Sequence, residues 1–439
     1  MQRSSVLLLF ATTILLSAST QASFAQAGFS VLETNSRVGI VVSADGNTIG
    51  TSSNRSVAPS AEIVEGTTRL RDRASGDILV ELPDPTGWIG PLIPSGDGRV
   101  ARGAAAGSAP AGFVYHRDSD QLTDLGDDPA YQGFFPHALD QTGAVAVGSW
   151  NDSPYLYRQD AATGPEFLGT LPGGNGRGAA FDISADGRVA VGWSSSTTTS
   201  MEAFRWEDGV MTSVGDLPGG NDASQAWSIS ADASTIVGWT STDPGSTPFR
   251  WRDGVMSALP DLPGGRYGGS AFGVSGDADV AVGWSFGEGD RERAVLWDAS
   301  GEVHDLEVLF AAFGLDLGGL ELTHATGISD DGRVIVGLGT TDAAAQFAWV
   351  ATIPEPGTGC LLGLGLAWLS RSALRASRTA LGGLQPGDPP GAVAVSSGST
   401  KGMMNLCHMS GSVGPVPVSR VSASENVPKT RSKRITAQP

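Results

Sequence analysis

The fold of this chain is decided by residues 184–220, which read SADGRVAVGWSSSTTTSMEAFRWEDGVMTSVGDLPGG. Val189, Val191 and Trp193 share one face of a strand by its period of two, and the residues between them are small. A Ser/Thr-rich turn follows, then a second apolar segment that ends at Trp206, then an Asp-Gly pair. Because glycine tolerates the positive φ of tight turns, the Asp-Gly pair favours a hairpin. The stretch therefore predicts short antiparallel strands.

The same pattern occurs seven times. Its opening turns are Ser43-Ala44-Asp45-Gly46, Ser95-Gly96-Asp97-Gly98, Asp140-Gln141-Thr142-Gly143, Ser184-Ala185-Asp186-Gly187, Ser230-Ala231-Asp232-Ala233, Ser275-Gly276-Asp277-Ala278 and Ser329-Asp330-Asp331-Gly332. Successive turns are 52, 45, 44, 46, 45 and 54 residues apart, so the first and last intervals carry insertions. Two further markers keep the same register. They are a tryptophan, at Trp206, Trp251, Trp297 and Trp349, and a Leu-Pro-Gly-Gly loop that starts at Leu171, Leu217 and Leu262.

Four short strands in a unit of about 45 residues are typical of a β-propeller blade. Residues 28–350 are long enough for seven such units, so the sequence predicts an all-β, seven-bladed β-propeller. The last unit stops after Trp349, and we expect Phe29–Leu32 and Val38–Val42 to supply its third and fourth strands. A ring closed in this way would leave no open sheet edge. An open β-solenoid with the same repeat is the alternative.

The N-terminal residues are typical of a secretory signal. Arg3 precedes the apolar run Val6–Leu16, and Ala25-Gln26-Ala27 has the small-x-small pattern of a cleavage site. We therefore expect residues 1–27 to be a signal peptide and the mature chain to begin at Gly28.

The net charge of the repeat domain limits the partners that it can bind, and its lack of cysteines excludes disulfides. Residues 28–356 contain 44 acidic and 18 basic residues, a formal net charge of −26. Such a surface disfavours nucleic acid and anionic lipid as partners. The only cysteines, Cys360 and Cys407, lie outside this stretch, so the repeat domain must be stable without disulfides.

Residues 203–230 resemble the HAF family of extracellular repeats. The resemblance is carried by Ala203–Met211, Asp216–Gly220 and Ala226–Ser230; it repeats well over Leu168–Trp297 and more loosely over the rest of Val38–Trp349. This family is defined by its repeat and its exported context, and the resemblance implies no catalytic residues.

Residues 351–378 are similar to a PEP-CTERM sorting segment. Pro354, Glu355 and Pro356 precede the apolar run Gly359–Leu369, and a basic group follows at Arg371, Arg375 and Arg378. The resemblance implies an exosortase-like processing enzyme as partner, with residues 359–369 held transiently in the inner membrane. It also implies release to the cell surface or the extracellular space.

The chain departs from that family by continuing to Pro439. The first lysine is Lys401, and residues 379–439 are rich in Pro, Gly and Ser without strand alternation. This composition predicts a disordered tail or a spurious gene end.

The residues that carry chemistry form no recognisable catalytic, cofactor-binding or metal-binding pattern. The five histidines have no metal-ligand spacing and are interpreted as scattered surface or loop residues; they are His116, His137, His304, His324 and His408. The turn aspartates recur with the repeat, which favours a structural role; calcium binding is the alternative, although no Asp-x-Asp-x-Asp-Gly loop is present. Trp206, Trp251, Trp297 and Trp349 are expected to pack between blades.

These observations predict an exported, non-enzymatic binding or structural protein of the cell surface or extracellular matrix. The PEP-CTERM resemblance implies exopolysaccharide as partner, and Trp193, Trp239 and Trp284 are candidates for stacking on sugars. The alternative is an extracellular polysaccharide hydrolase or lyase. Its carboxylates would have to lie in the insertions Ser52–Leu92 and Phe310–His324, which a closed ring would bring side by side.

Overall fold

The computed structural model describes residues 28–353 except 36, 56–64, 85–91, 106–110, 125–133, 160–163, 244 and 342–344. Over this part the chain forms seven four-stranded antiparallel sheets, one per blade, and one short helix. The predicted seven-bladed β-propeller is confirmed. The proposed signal peptide, sorting motif and tail lie outside the described residues and stay predictions.

The strands follow one another from the inner to the outer edge of each blade. After β1 (Gly28–Asn35), blade 1 contains β2 (Arg37–Val42), β3 (Thr48–Arg55), β4 (Glu65–Asp72) and β5 (Ile78–Asp84). Blade 2 contains β6 (Ile93–Pro94), β7 (Val100–Ala105), β8 (Ala111–His116) and β9 (Gln121–Asp124). Blade 3 contains β10 (Phe134–Leu139), β11 (Val145–Trp150), β12 (Ser153–Arg158) and β13 (Glu166–Phe167).

The later blades repeat this order. Blade 4 contains β14 (Gly178–Ile183), β15 (Val189–Ser194), β16 (Glu202–Glu207) and β17 (Val210–Ser213). Blade 5 contains β18 (Ser224–Ile229), β19 (Thr235–Thr242), β20 (Gly245–Arg252) and β21 (Val255–Ala258). Blade 6 contains β22 (Gly269–Val274), β23 (Ala281–Phe286), β24 (Glu292–Trp297) and β25 (Val303–Asp305), and the helix α1 (Leu306–Ala312) follows it. Blade 7 contains β26 (Glu321–Ile328), β27 (Val334–Thr340) and β28 (Gln346–Thr352).

The ring is closed by β1, the first strand of the described residues. β1 pairs antiparallel with β28 from Gly28 opposite Thr352 to Asn35 opposite Gln346, and it forms the outer strand of blade 7. Side chains of blades 1 and 7, including Ile40, Ile49 and Val336, share one buried cluster. The open solenoid is therefore wrong. The second predicted closing strand, Val38–Val42, belongs instead to β2, the inner strand of blade 1, because the repeat unit chosen in the sequence straddles two blades.

The repeated turn is held by its own side chains. In blade 4 the Ser184 hydroxyl donates to Asp186 Oδ1 (2.6 Å), the same oxygen accepts from the Arg188 N–H (3.1 Å), and Ser184 Oγ accepts from the Val189 N–H (3.0 Å). The same three bonds occur in blades 1, 2, 5, 6 and 7. The recurrence of Ser and Asp is thus explained by turn structure, as the repeat indicated.

Neighbouring blades are joined in two ways. Trp206 is buried in a cluster that also contains Val145 and Leu156 of blade 3, and Trp297 and Trp349 are fully buried. At six of the seven junctions, a backbone N–H of one turn donates to a turn carbonyl of the adjacent blade, as from Asp330 to Ala44 (2.7 Å). The predicted packing of these tryptophans between blades is confirmed for Trp206, Trp251 and Trp297, which belong to clusters that span two blades.

The two presumed insertions have different structures. The described part of Ser52–Leu92 forms β4 and β5, the outer strands of blade 1, so most of it is not an insertion. In the second, Asp305 caps helix α1 by accepting from the Glu307 N–H (2.9 Å), and Leu306, Leu309 and Phe310 are buried on one side of the helix. Among the described residues, α1 is too short to cross a membrane, and no other helix has the length and apolar character to do so.

Candidate functional site

The described residues of the seven inner strands and the turns that follow them enclose a central cavity of about 200 Å³. Every blade contributes to its wall, from Val41 in blade 1 to Asp330 in blade 7. The cavity lies in the central channel of the ring. The repeated turns lie at one end of this channel, which we call the turn face. A concave site with mixed apolar and polar walls is where small ligands bind most often.

A β-bulge shapes this wall in five blades. The pairing of the inner strand with the second strand shifts by one residue at His137, Phe181, Trp227, Phe272 and Thr326. All five bulged residues line the cavity. A bulge re-aims a side chain, so strict alternation along the strand does not give the direction of these residues.

Five rings form a continuous series, which we call the aromatic arc: His137, Phe181, Trp227 and Phe272 at the bulges, and His324 on β26, which does not line the cavity. Successive ring centroids are 5.4, 4.4, 5.8 and 6.1 Å apart, and the closest pair, Phe181 and Trp227, is stacked with planes 23° apart. Trp284 extends the arc, 5.5 Å from His324. The opposite wall is aliphatic and includes Val41, Val42 and Ile93.

Asp182 is the most deeply placed acid of the channel. Its carboxylate accepts from the Ser228 hydroxyl (2.8 Å) and from the backbone N–H groups of Ile229 (2.9 Å) and Ile183 (2.8 Å), so it links blades 4 and 5. It stays half-buried because it faces the cavity. Burial raises the pKa of Asp182 to about 6, against the opposing effect of its three hydrogen bonds, and the negative charge of Asp330 adds to the rise.

Asp330 lies at the turn face and also lines the cavity. Its backbone is fixed, since its N–H donates to the Ala44 carbonyl and its carbonyl accepts from the Gly276 N–H. Burial raises the pKa of the Asp330 carboxyl, and the neighbouring charges of Asp331, Asp277 and Asp45 raise it further. The site thus holds two acids whose ionised forms are both disfavoured.

The histidines correct the sequence interpretation. His116, His137, His304 and His324 are half-buried strand residues, not scattered surface or loop residues. The His137 Nδ1–H donates to the Ala180 carbonyl (2.9 Å), and burial lowers its pKa. Burial also lowers the pKa of His324, although Glu292 acts in the opposite direction. Neutral imidazoles therefore add planar surface to the arc without adding positive charge.

The three tryptophans proposed for sugar stacking are half-buried within their second strands. Trp284 contacts the aromatic arc, whereas Trp239 donates from Nε1 to the Gln225 side chain (2.9 Å). The structure therefore connects one of the three to the channel through an aromatic contact.

A second cluster lies on the hairpin between β24 and β25. Asp298, Glu302 and His304 each bring one ligand atom within 4.8 Å of the others, a set found nowhere else among the described residues. His304 Nε2 lies 2.8 Å from Asp298 Oδ2, while Asp298 Oδ1 accepts from the N–H groups of Ser300 and Glu302. These contacts hold the hairpin turn together.

Sequence reasoning missed the channel site, although a signal was present. The position two residues before the turn is Val41, Ile93, Ala138, Ser228, Gly273 or Gly327 in six blades and Asp182 in blade 4. One acid among small and apolar residues departs from the repeat, and departures of this kind are not explained by blade structure. The ring one position earlier, Phe181, Trp227 or Phe272, is equally visible.

Comparisons with known proteins agree with the architecture. No protein-family model matches the chain, and no curated protein is similar to it. The β-propeller domain of the Trilobed protease from Pyrococcus furiosus is 10% identical, with 73% of this chain and 96% of that chain covered at a TM-score of 0.48. The putative TolB from Agrobacterium tumefaciens is 17% identical, with 63% and 94% covered at 0.41, and TolB from Acinetobacter baumannii is 13% identical, with 69% and 79% covered at 0.37. These likenesses concern the fold alone and carry no argument about ligand or activity.

Proposed function

We propose that this protein is an exported, non-enzymatic β-propeller that binds a polysaccharide of the cell surface or extracellular matrix. The observation that supports this best is the aromatic arc, whose rings Phe181, Trp227 and Phe272 line a half-open cavity. The apolar faces of sugar rings pack on aromatic rings, and polar groups at the edge of the site fix their orientation. The acidic surface favours neutral or cationic chains over anionic ones.

The repeated carboxylates support a binding role over catalysis. Asp186 and its equivalents accept hydrogen bonds from a serine hydroxyl and a backbone N–H, so they are used to hold the turns. The acids that remain in the channel are Asp182 and Asp330, and Asp182 already accepts three hydrogen bonds.

The alternative function, a polysaccharide hydrolase or lyase, is favoured by one observation. Glycoside hydrolysis uses a carboxylic acid with a raised pKa together with a second carboxylate. Asp182, with a pKa of about 6, matches the acid with the raised pKa, and Asp330 is a second carboxyl group in the same cavity. They lie in the channel, and not in the insertions Ser52–Leu92 and Phe310–His324, where the sequence analysis expected the carboxylates of a hydrolase.

Titration of the protein with soluble neutral and amino-sugar oligosaccharides is expected to shift its tryptophan emission without releasing reducing ends. Phe272→Ala removes one ring of the arc and no tryptophan, and it should weaken binding about tenfold, near the upper end of what one stacked ring contributes. Phe167→Ala is the control, because Phe167 is an exposed ring on the outer strand of blade 3. If no oligosaccharide changes the emission, the binding proposal fails; if reducing ends accumulate, the hydrolase is correct.

The export route is proposed from the sequence and has its own test. In a Gram-negative host that carries an exosortase, the mature chain should begin at Gly28 and should lack the segment beyond Pro354–Pro356. Replacing Pro354, Glu355 and Pro356 by alanine should leave the C-terminal segment attached to membranes, whereas Pro415→Ala in the tail should change nothing. Intact mass and cell fractionation measure both. A wild-type chain that keeps residues 1–27, or that stays in the cytoplasm, would contradict the route.

A further inference from the structure

We propose that the cavity at the turn face is a site for an organic ammonium group, and that its natural ligand is the free amine of an amino-sugar chain. The identity of the sugar chain rests on the polysaccharide-binding function proposed above; the ammonium site rests on the charges and rings of the cavity itself. The proposal extends the function from a stacking surface to a site with a defined charge preference.

The charge of the cavity wall is the first step. Asp182 and Asp330 line it, and no Lys or Arg occurs among its described lining residues. The Asp330 carboxylate has no hydrogen-bond or ion-pair partner within the described part of the chain, while its nearest charged neighbours are acids. Buried charges are normally paired, so a cavity with two acids and no basic side chain favours a cationic occupant.

The entrance adds to this preference. The turn aspartates recur around the mouth of the channel at the turn face; they are Asp45, Asp97, Asp186, Asp232, Asp277 and Asp331. The residues of these turns that line the cavity include the small Ala44, Gly96 and Ala185. A cleft lined by charge of one sign concentrates ligands of the opposite sign.

The rings of the cavity distinguish an organic cation from a metal ion. Phe181, Trp227 and Phe272 line the same cavity as the two acids, and aromatic faces attract ammonium groups. The Trp227 ring lies 4.4 Å from the Phe181 ring and 5.8 Å from the Phe272 ring, measured between centroids, so the three form one continuous aromatic surface. A calcium ion would need six to eight oxygen ligands, and Asp182 already accepts three hydrogen bonds.

The test compares two ligands that differ at the amine. The disaccharide of glucosamine and its N-acetylated counterpart are titrated into the protein at pH 6.5 by calorimetry. We expect the amine to bind at least tenfold more tightly. Asp330→Asn should weaken binding of the amine five- to tenfold and leave the acetylated disaccharide unchanged. The backbone bonds of Asp330 do not depend on its carboxylate, so the variant should fold, and circular dichroism verifies this.

Asp253→Asn is the matched control. Asp253 is an exposed acid of the β20–β21 hairpin, and asparagine tolerates its positive φ of 51°. An equal loss of affinity in Asp253→Asn and Asp330→Asn would show attraction to the acidic surface in general and would overturn the site. Equal binding of both disaccharides would overturn the ammonium preference and leave polysaccharide binding standing. Binding of neither would contradict both proposals.

Discussion

A chain that begins at Arg37, and therefore lacks β1, is expected to lose at least half of its free energy of unfolding or to fail to fold. β1 supplies the whole outer strand of blade 7, from Gly28 opposite Thr352 to Asn35 opposite Gln346. Without it the N–H and C=O groups of β28 that now pair with β1 form an open sheet edge, which also favours aggregation. The expected effect is large because only the packing of blade 1 on blade 7 and the hydrogen bond from Asp330 to Ala44 would then hold the ring closed.

The magnitude follows from what β1 contributes. Each lost hydrogen bond costs about 0.5–1.5 kcal/mol, and the ladder contains several. Phe29 also packs within 6.2 Å of Trp349 and 6.4 Å of Phe310, measured between ring centroids, and loss of a packed aromatic adds about 1–3 kcal/mol. Single domains are stable by only about 5–15 kcal/mol, so the combined loss is comparable to the whole.

The matched control moves the same residues to the other terminus. Because Gly28 pairs with Thr352, the segment Gly28–Asn35 joined after Ile353 by an Asn-Gly turn can occupy the same place. This chain, still beginning at Arg37, should recover most of the stability of a chain that begins at Gly28. Urea unfolding measures all three. Full stability of the truncated chain, or no recovery in the rearranged one, would contradict closure by β1.

The blade repeat was predictable because each marker has a local physical cause. Ser184 and Asp186 recur because they satisfy the turn, and Trp206 recurs because it fills the space between blades. The placement of Val38–Val42 was wrong for an equally physical reason. A strand pattern shows which face is apolar, but it does not show to which neighbouring strand the backbone bonds, and β2 bonds to β3.

The channel was not predictable in the same way. The period of two along a strand predicts the face on which Phe181 lies. The bulge between Ala180 and Asp182 interrupts this period at the cavity, so the prediction fails there. The charge of Asp182 was visible, but its depth depends on the approach of blade 5, whose Ser228 and Ile229 donate to it. The pairing of His304 with Asp298 likewise depends on a hairpin that brings positions six apart together.

Asp182 is expected to make the protein more stable at pH 4.5 than at pH 7.5 relative to its asparagine variant. Burial raises its pKa in the folded protein to about 6, above the value of 3.8 expected for an unfolded chain. Between these values the folded state binds the proton more tightly than the unfolded state does. The stability contributed by this group is thus fully present below about pH 4 and is lost as the pH rises through about 6.

The size of the effect follows from the shift, since one pKa unit corresponds to about 1.4 kcal/mol. The free-energy difference between the wild type and Asp182→Asn should therefore change by about 2 kcal/mol between pH 4.5 and 7.5. The asparagine keeps an acceptor for Ser228 or Ile229 but carries no charge, so at pH 7.5 the variant should approach or exceed the wild type. Urea unfolding across this pH range measures the difference, and carbon-13 spectra of the carboxyl titrate Asp182 directly.

Two controls make the result decisive. Asp253→Asn removes one exposed negative charge without touching the channel and corrects for the charge of the whole surface. The negative charge of Asp330 contributes to the raised pKa of Asp182. Asp330→Asn removes this charge, so it should lower the pKa of the Asp182 carboxyl. If the wild type and Asp182→Asn differ by the same amount at every pH, Asp182 is not held in a site that disfavours its charge. Its carboxyl would then be fully ionised at neutral pH, and the raised pKa on which the hydrolase alternative depends would be absent.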